Sequence, residues 1–127
     1  MATDHEYKTH IVRASVIPTT SYVAGTVIEK TRDNNQLNVY VSLTFGSLTS
    51  AEVKVEFSAD GTTYYQETFS AVSTVTSTES LGEHKFGAGG NYRLEIPLKD
   101  NFVKISAKGT GTLTNSLMAI SAVLGQT

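Results

Sequence analysis

Between Gln36 and Phe69, apolar and polar residues alternate in two runs on either side of one turn. Leu37, Val39, Val41, Leu43 and Phe45 take every second position, with Asn38, Tyr40, Ser42 and Thr44 between them. Val53, Val55 and Phe57 then alternate with Glu52, Lys54 and Glu56 until Ala59-Asp60-Gly61-Thr62 interrupts the run before Tyr64-Tyr65. Strand side chains point to opposite faces with period two, so each run predicts a strand with one dry and one wet side. Asp60-Gly61 has the chemistry of a tight hairpin, because both residues tolerate the positive φ it needs. The following strand is expected over Thr63–Phe69.

The same reading extends outward. Thr9–Ile17 predicts a first strand with Val12, Ala14 and Val16 inward, ended by Pro18, which cannot donate to a central ladder. Tyr22–Thr31 is a second, interrupted at Gly25, where a bulge or a close backbone approach is expected. Ala71–Glu79 keeps poor parity and reads as a bulged edge strand or a loop. Ser80–Asn91 holds four glycines and predicts a long irregular loop. Tyr92, Leu94 and Ile96 form another inward set closed by Pro97, and Val103, Ile105 and Ala107 one more, with Lys104, Ser106 and Lys108 outward. Gly109-Thr110-Gly111-Thr112 is expected to turn the chain into a last strand, Ser116–Leu124. No helical period occurs. The expected fold is all-β, a single antiparallel β-sandwich or jelly-roll-like domain of eight or nine strands over residues 11–127, with residues 1–10 as an N-terminal arm.

Composition narrows the function classes. A chain of 127 residues with 39% hydrophobic and 17% charged content suits one globular domain. Ser and Thr make up about a quarter of it, as expected of strands that show Thr to solvent. The net charge is −2, and the ten basic residues form no stripe that would neutralise a phosphate backbone, so nucleic-acid binding is not expected. With no Cys, thiol catalysis and thiolate metal sites are excluded. No apolar run approaches the ~20 residues of a membrane span, and the polar start does not resemble a secretory signal. Folding in the cytoplasm without membrane contact is the expectation.

Candidate chemistry is sparse. His5 and His10 are five apart and face opposite ways in an extended segment, while His84 lies between Glu83 and Lys85, so no histidine metal site is expected. No Gly-x-Ser-x-Gly elbow exposes a nucleophile. Glu52 and Glu56 share an outward face with Lys54 between them, which describes a solvated surface rather than an acid pair with a raised pKa. Gly87-Ala88-Gly89-Gly90 is not followed by Lys-Ser/Thr, and Asp33-Asn34-Asn35 and Asp100-Asn101 read as turns. Neither enzymatic activity nor a cofactor is expected. The tyrosines carry more: Tyr64 and Tyr65 are adjacent, so one should be exposed, and Tyr40 sits on the polar side of its strand. Exposed tyrosines serve as interface anchors or sugar platforms.

The run Ala51-Glu-Val-Lys-Val-Glu-Phe-Ser-Ala-Asp-Gly-Thr-Thr-Tyr-Tyr-Gln-Glu-Thr resembles a strand-turn-strand of small β-sandwich structural proteins of tailed bacteriophages. Asn101-Phe-Val-Lys-Ile-Ser-Ala-Lys-Gly-Thr-Gly-Thr-Leu-Thr-Asn-Ser-Leu resembles the closing hairpin of the same kind of protein. Together they fall in the C-terminal two thirds. A related Glu-Phe-Ser-x-Asp-Gly pattern is found in discoidin-like carbohydrate-binding modules, from which this chain departs in having no Trp and in the expectation that it carries no secretory signal.

The phage resemblance implies a non-enzymatic virion component of the capsid decoration (cement) type, often trimeric, assembled in the host cytoplasm. Its expected partners are the major capsid protein, other virion proteins and its own copies. Partner contacts are expected at Asp4, His5 and Tyr7 of the arm, at Tyr40, at Tyr64 and Tyr65, and at His84 and Phe86 of the glycine-rich loop. A carbohydrate-binding or host-adhesion module, and a tail-tube or tail-completion protein, are the alternatives.

Overall fold

The computed structural model describes residues 9–30, 34–66, 83–98 and 100–125. Ten strands run in chain order: β1 Thr9–Val16, β2 Val23–Ala24, β3 Ile28–Glu29, β4 Gln36–Thr44, β5 Leu48–Ser58, β6 Tyr65–Gln66, β7 Glu83–Phe86, β8 Gly90–Pro97, β9 Phe102–Gly111 and β10 Leu117–Gly125. Among the described residues there is no helix. The strands form two antiparallel sheets, as in a β-sandwich. Sheet A has the order β1-β10-β4-β8. Sheet B has the order β2-β9-β5-β6, with β3 also on β9 and β7 also on β5.

Alternation decides which side chains meet. Leu37, Val39, Val41 and Leu43 of β4 join Met118, Ile120, Ala122 and Leu124 of β10 on the inner face of sheet A. Ala51, Val53, Val55 and Phe57 of β5 join Val103, Ile105 and Ala107 of β9 on the inner face of sheet B. All belong to one buried cluster, each fully buried aliphatic side chain stabilising by roughly 1.5–3 kcal/mol before chain entropy is counted.

Several connections differ from expectation. Among the described residues ten strands stand where eight or nine were expected, because each long edge of sheet B is divided between two short strands. Tyr22–Thr31 becomes β2 and β3, placed end to end along β9. The expected loop Ser80–Asn91 contains β7, which pairs with β5, and the first residues of β8. Glycine content signalled irregularity there, but the ladder of β5 captures Glu83–Phe86. The turn expected at Gly109–Thr112 comes later: β9 continues through Gly111, and the chain turns at Thr114-Asn115, where Asn115 takes φ 66°. The Asp60-Gly61 hairpin is present but wide, since Phe57 pairs with Tyr65. Its turn is built by side chains. Ser58 Oγ accepts from the N–H of Gly61 (2.8 Å), and Asp60 Oδ1 accepts from those of Thr62 (2.8 Å) and Thr63 (3.0 Å).

In β1 only Val12 is buried, whereas Ala14 and Val16 are exposed, contrary to the simple alternation. Register shifts on either side of Arg13 break the parity. The Arg13 guanidinium donates to the carbonyls of Met118 (3.2 Å) and Ile17 (3.1 Å) where the ladder is irregular. Thr9 and His10 pair with Val123 and Ala122 as the start of β1, where the first strand was expected to begin, although the arm was drawn through residue 10. Residues 1–8 and the segment Ala71–Glu79 lie outside the described residues.

Gly25 ties the two sheets together. Its N–H donates to Ile105 of sheet B (2.9 Å), and the N–H of Thr26 donates to Val12 of sheet A (3.2 Å). A Cβ at Gly25 would overlap the Val12 carbonyl oxygen. That is the close approach its place in the sequence suggested. The Gly25→Ala variant is expected to lose about 2 kcal/mol or more of stability, measured by urea denaturation, because backbone rather than a pliable side chain must move.

A candidate docking face

The outer face of sheet A carries a groove of about 610 Å³. It exists because β1 is bulged and β10 is lined with small residues. Ala119 and Ser121 of β10 form its floor, Ile11 and Ala14 of β1 one wall, and Tyr40 of β4 with Arg93 of β8 the other. The register explains the second wall, since Tyr40 lies directly opposite Arg93 on the neighbouring strand. Ile11 is 61% exposed and Tyr40 40% exposed, so two large apolar groups flank a trough of small side chains. Several polar groups at its rim are paired: Ser42 Oγ donates to Asn91 Oδ1 at 3.1 Å, and Arg93 pairs with Glu95. An apolar concavity with a few fixed polar groups suits the burial of a partner's surface.

The outer face of sheet B is different. Glu52 was expected on a solvated surface, but only 7% of it is exposed. Its carboxylate accepts from Ser50 Oγ (2.6 Å) and Thr110 Oγ1 (3.1 Å), which satisfies the buried charge with two hydroxyls. Lys104 contacts Glu56 (3.7 Å) and lies 4.4 Å from the centre of the Tyr64 ring. Tyr22 lies under both Lys54 (4.7 Å) and Lys108 (4.9 Å). Charges and aromatic rings on this face contact one another, whereas on sheet A the apolar groups stand open. Nothing in the alternation marked Tyr22 as the ring beneath lysines of the neighbouring strands β5 and β9.

The other sequence candidates scatter. Tyr64 and Tyr65 divide as adjacency required, Tyr64 half-buried and Tyr65 67% exposed on β6. They lie on sheet B, while Tyr40 is on sheet A, so the three do not form one site. Phe86 is a core residue, buried and stacked on Tyr92 with ring centres 4.5 Å apart. It faces inward because it opposes Ala51 on β5. His84, opposite Val53, is half-buried on the same strand. Asp4, His5 and Tyr7 lie outside the described residues. Ile11, the most exposed large hydrophobic of the groove, falls on the face of β1 opposite Val12 as alternation predicts, but it was not among the expected partner contacts. Among the described residues no group of three or more His, Cys, Asp or Glu is placed to hold a metal ion.

Comparison with protein-family models and with curated proteins returned no match for this chain.

Two ionisable groups are shifted on sheet B. Hydrogen bonds from the Thr63 and Thr62 amides, joined by Ser58, hold the Asp60 carboxyl below the usual aspartate value. Burial holds the His84 imidazole below the usual histidine value. The unfolded chain therefore binds the His84 proton more readily than the folded one, and stability falls as the pH drops through the ordinary histidine pKa of about 6.5 toward the lowered one. The melting temperature is expected to fall between about pH 7.5 and about pH 5.5, and the His84→Gln variant to show a smaller fall over the same range.

Proposed function

We propose that this chain is a non-enzymatic structural protein of a tailed-phage virion, of the capsid decoration type, and that it docks through the outer face of sheet A. The observation that carries the docking is the groove bounded by exposed Ile11 and Tyr40. Large apolar groups standing open beside small residues are what a partner's side chains bury against. The assignment to a virion rests on the resemblance of residues 51–68 and 101–117 to phage β-sandwich proteins. In this reading the shell partner is the major capsid protein or another virion protein, the oligomer is a trimer, and repetition over the shell multiplies a modest affinity at each site.

The finer fold in this reading is a jelly roll. Counting β2 with β3, and β6 with β7, as shared positions gives four places in each sheet, β1-β10-β4-β8 and β2/3-β9-β5-β6/7. Successive strands mostly alternate between the sheets, as in the jelly rolls used by viral capsid and lectin domains. Fold alone does not carry function, so the docking face bears the argument.

A second reading, a carbohydrate-binding or adhesion module, is favoured by one observation: Tyr65 stands exposed at the end of the wide hairpin. It requires glycan-array binding that Tyr65→Ala abolishes and Tyr40→Asp leaves intact.

The decoration reading is tested by reconstitution. Heads of the encoding phage prepared without this protein are mixed with the full chain and sedimented. The native chain is expected to co-sediment, and Tyr40→Asp and Ile11→Asp to reduce retention roughly tenfold or more while changing fold stability by only about 0.5 kcal/mol. Native chain left in the supernatant overturns the reading.

A further inference from the structure

We infer that β8 is a self-pairing edge: two copies of the chain join β8 to β8 about a two-fold axis through Leu94, so that sheet A continues from one copy into the next. Among the described residues β8 pairs only with β4, on one side. A strand edge offers a row of backbone donors and acceptors to any second strand, and the side chains decide whether the offer is accepted.

Here the side chains select one partner and one register. Arg93 and Glu95 lie on the outer face, opposite Tyr40 and Asn38 of β4, and both are more than half exposed. In an antiparallel pair of two β8 strands centred on Leu94, Arg93 of one copy stands opposite Glu95 of the other, and the reverse contact repeats it. Two opposite-charge pairs form from one short motif. Slipping the register by two residues sets Arg93 against its own copy, or Glu95 against its own copy. Slipping by one sets charged residues against the core side. A charged edge normally discourages pairing; this one discourages every register except the self-complementary one.

The inner face agrees. In the same register Leu94 meets Leu94, and Tyr92 meets Ile96. Leu94 and Tyr92 are only half-buried within one copy, at the margin of the core, and gain cover from the second. Pro97, with no N–H to donate, ends the ladder at each side. Because Tyr40 stands on the strand next to β8, the pairing also places two docking grooves on one continuous sheet surface. In a trimeric assembly the same two-fold contact joins one trimer to its neighbour.

The experiment is a charge exchange read by sedimentation velocity on the full chain. The native protein is expected to show a mass that is an even multiple of the single chain. Arg93→Glu and Glu95→Arg, each alone, place like charges in both pairs, and association through this contact is expected to weaken roughly tenfold or more, so that each variant sediments at half the native mass. Mixing the two variants restores opposite charges across the axis while the Arg93–Glu95 contact within each copy stays broken. The mixture is therefore expected to recover the native mass, and to lose it again at about 0.5 M salt, where exposed pairs are screened. Unchanged mass in the single variants, or no recovery in the mixture, overturns the two-fold pairing. Docking through the Tyr40 groove, of which Arg93 is one wall, is measured separately by head reconstitution with the Tyr40→Asp and Ile11→Asp variants.

Discussion

Every feature of this protein depends on burying alternate side chains of four central strands between two sheets. The apolar sides of β4 and β10 meet those of β5 and β9, and the other strands are arranged around that contact. Because alternate residues of one strand must face opposite ways, the same constraint that fills the core also presents a second set of side chains outward. What those outward residues are separates the two sides of the molecule. On sheet B they are charged and aromatic and contact one another. On sheet A the small side chains of β10 leave a trough between exposed Ile11 and Tyr40, with the Arg93–Glu95 pair at its margin.

The closure between the sheets sets the shape of that trough. Gly25 comes so close to Val12 that backbone groups from both sheets share one short segment, and β1 is bulged beside it. The bulges break the parity beyond Val12, so that Ala14 and Val16 stand exposed, while Ile11 faces outward by its ordinary alternation with Val12. A regular β1 would have directed Ala14 and Val16 inward. Arg13 supplies donors to carbonyls along the irregular stretch, so the departure from a regular ladder costs less than an unsatisfied backbone would.

The crossings between sheets are equally constrained. Gly46, at φ 58°, begins the step from β4 to β5 against the carbonyl of Asn115, which belongs to the step from β9 back to β10. Two crossings packed together at one end hold the central strands in register, while the paired short strands along the margins of sheet B adapt to local geometry. The edge at β8 belongs to the sheet that also presents the groove, so assembly and docking would draw on one surface.

Alternation alone determined the fold class and nearly all of the central core, because a period of two specifies which face of a strand is dry whatever strand lies beside it. It also announced the approach at Gly25 and the polar turn at Asp60. Partner choice was not legible: β4 pairs with β10 and β8, both far along the chain, and no local pattern encodes which distant edge a strand meets. For the same reason β7 was hidden in a glycine-rich stretch, Phe86 looked accessible and Glu52 looked solvated. Tyr40 and Ile11 could each be placed on an outward face from the sequence, but only the packing of β1, β10, β4 and β8 into one sheet set them on either side of a groove.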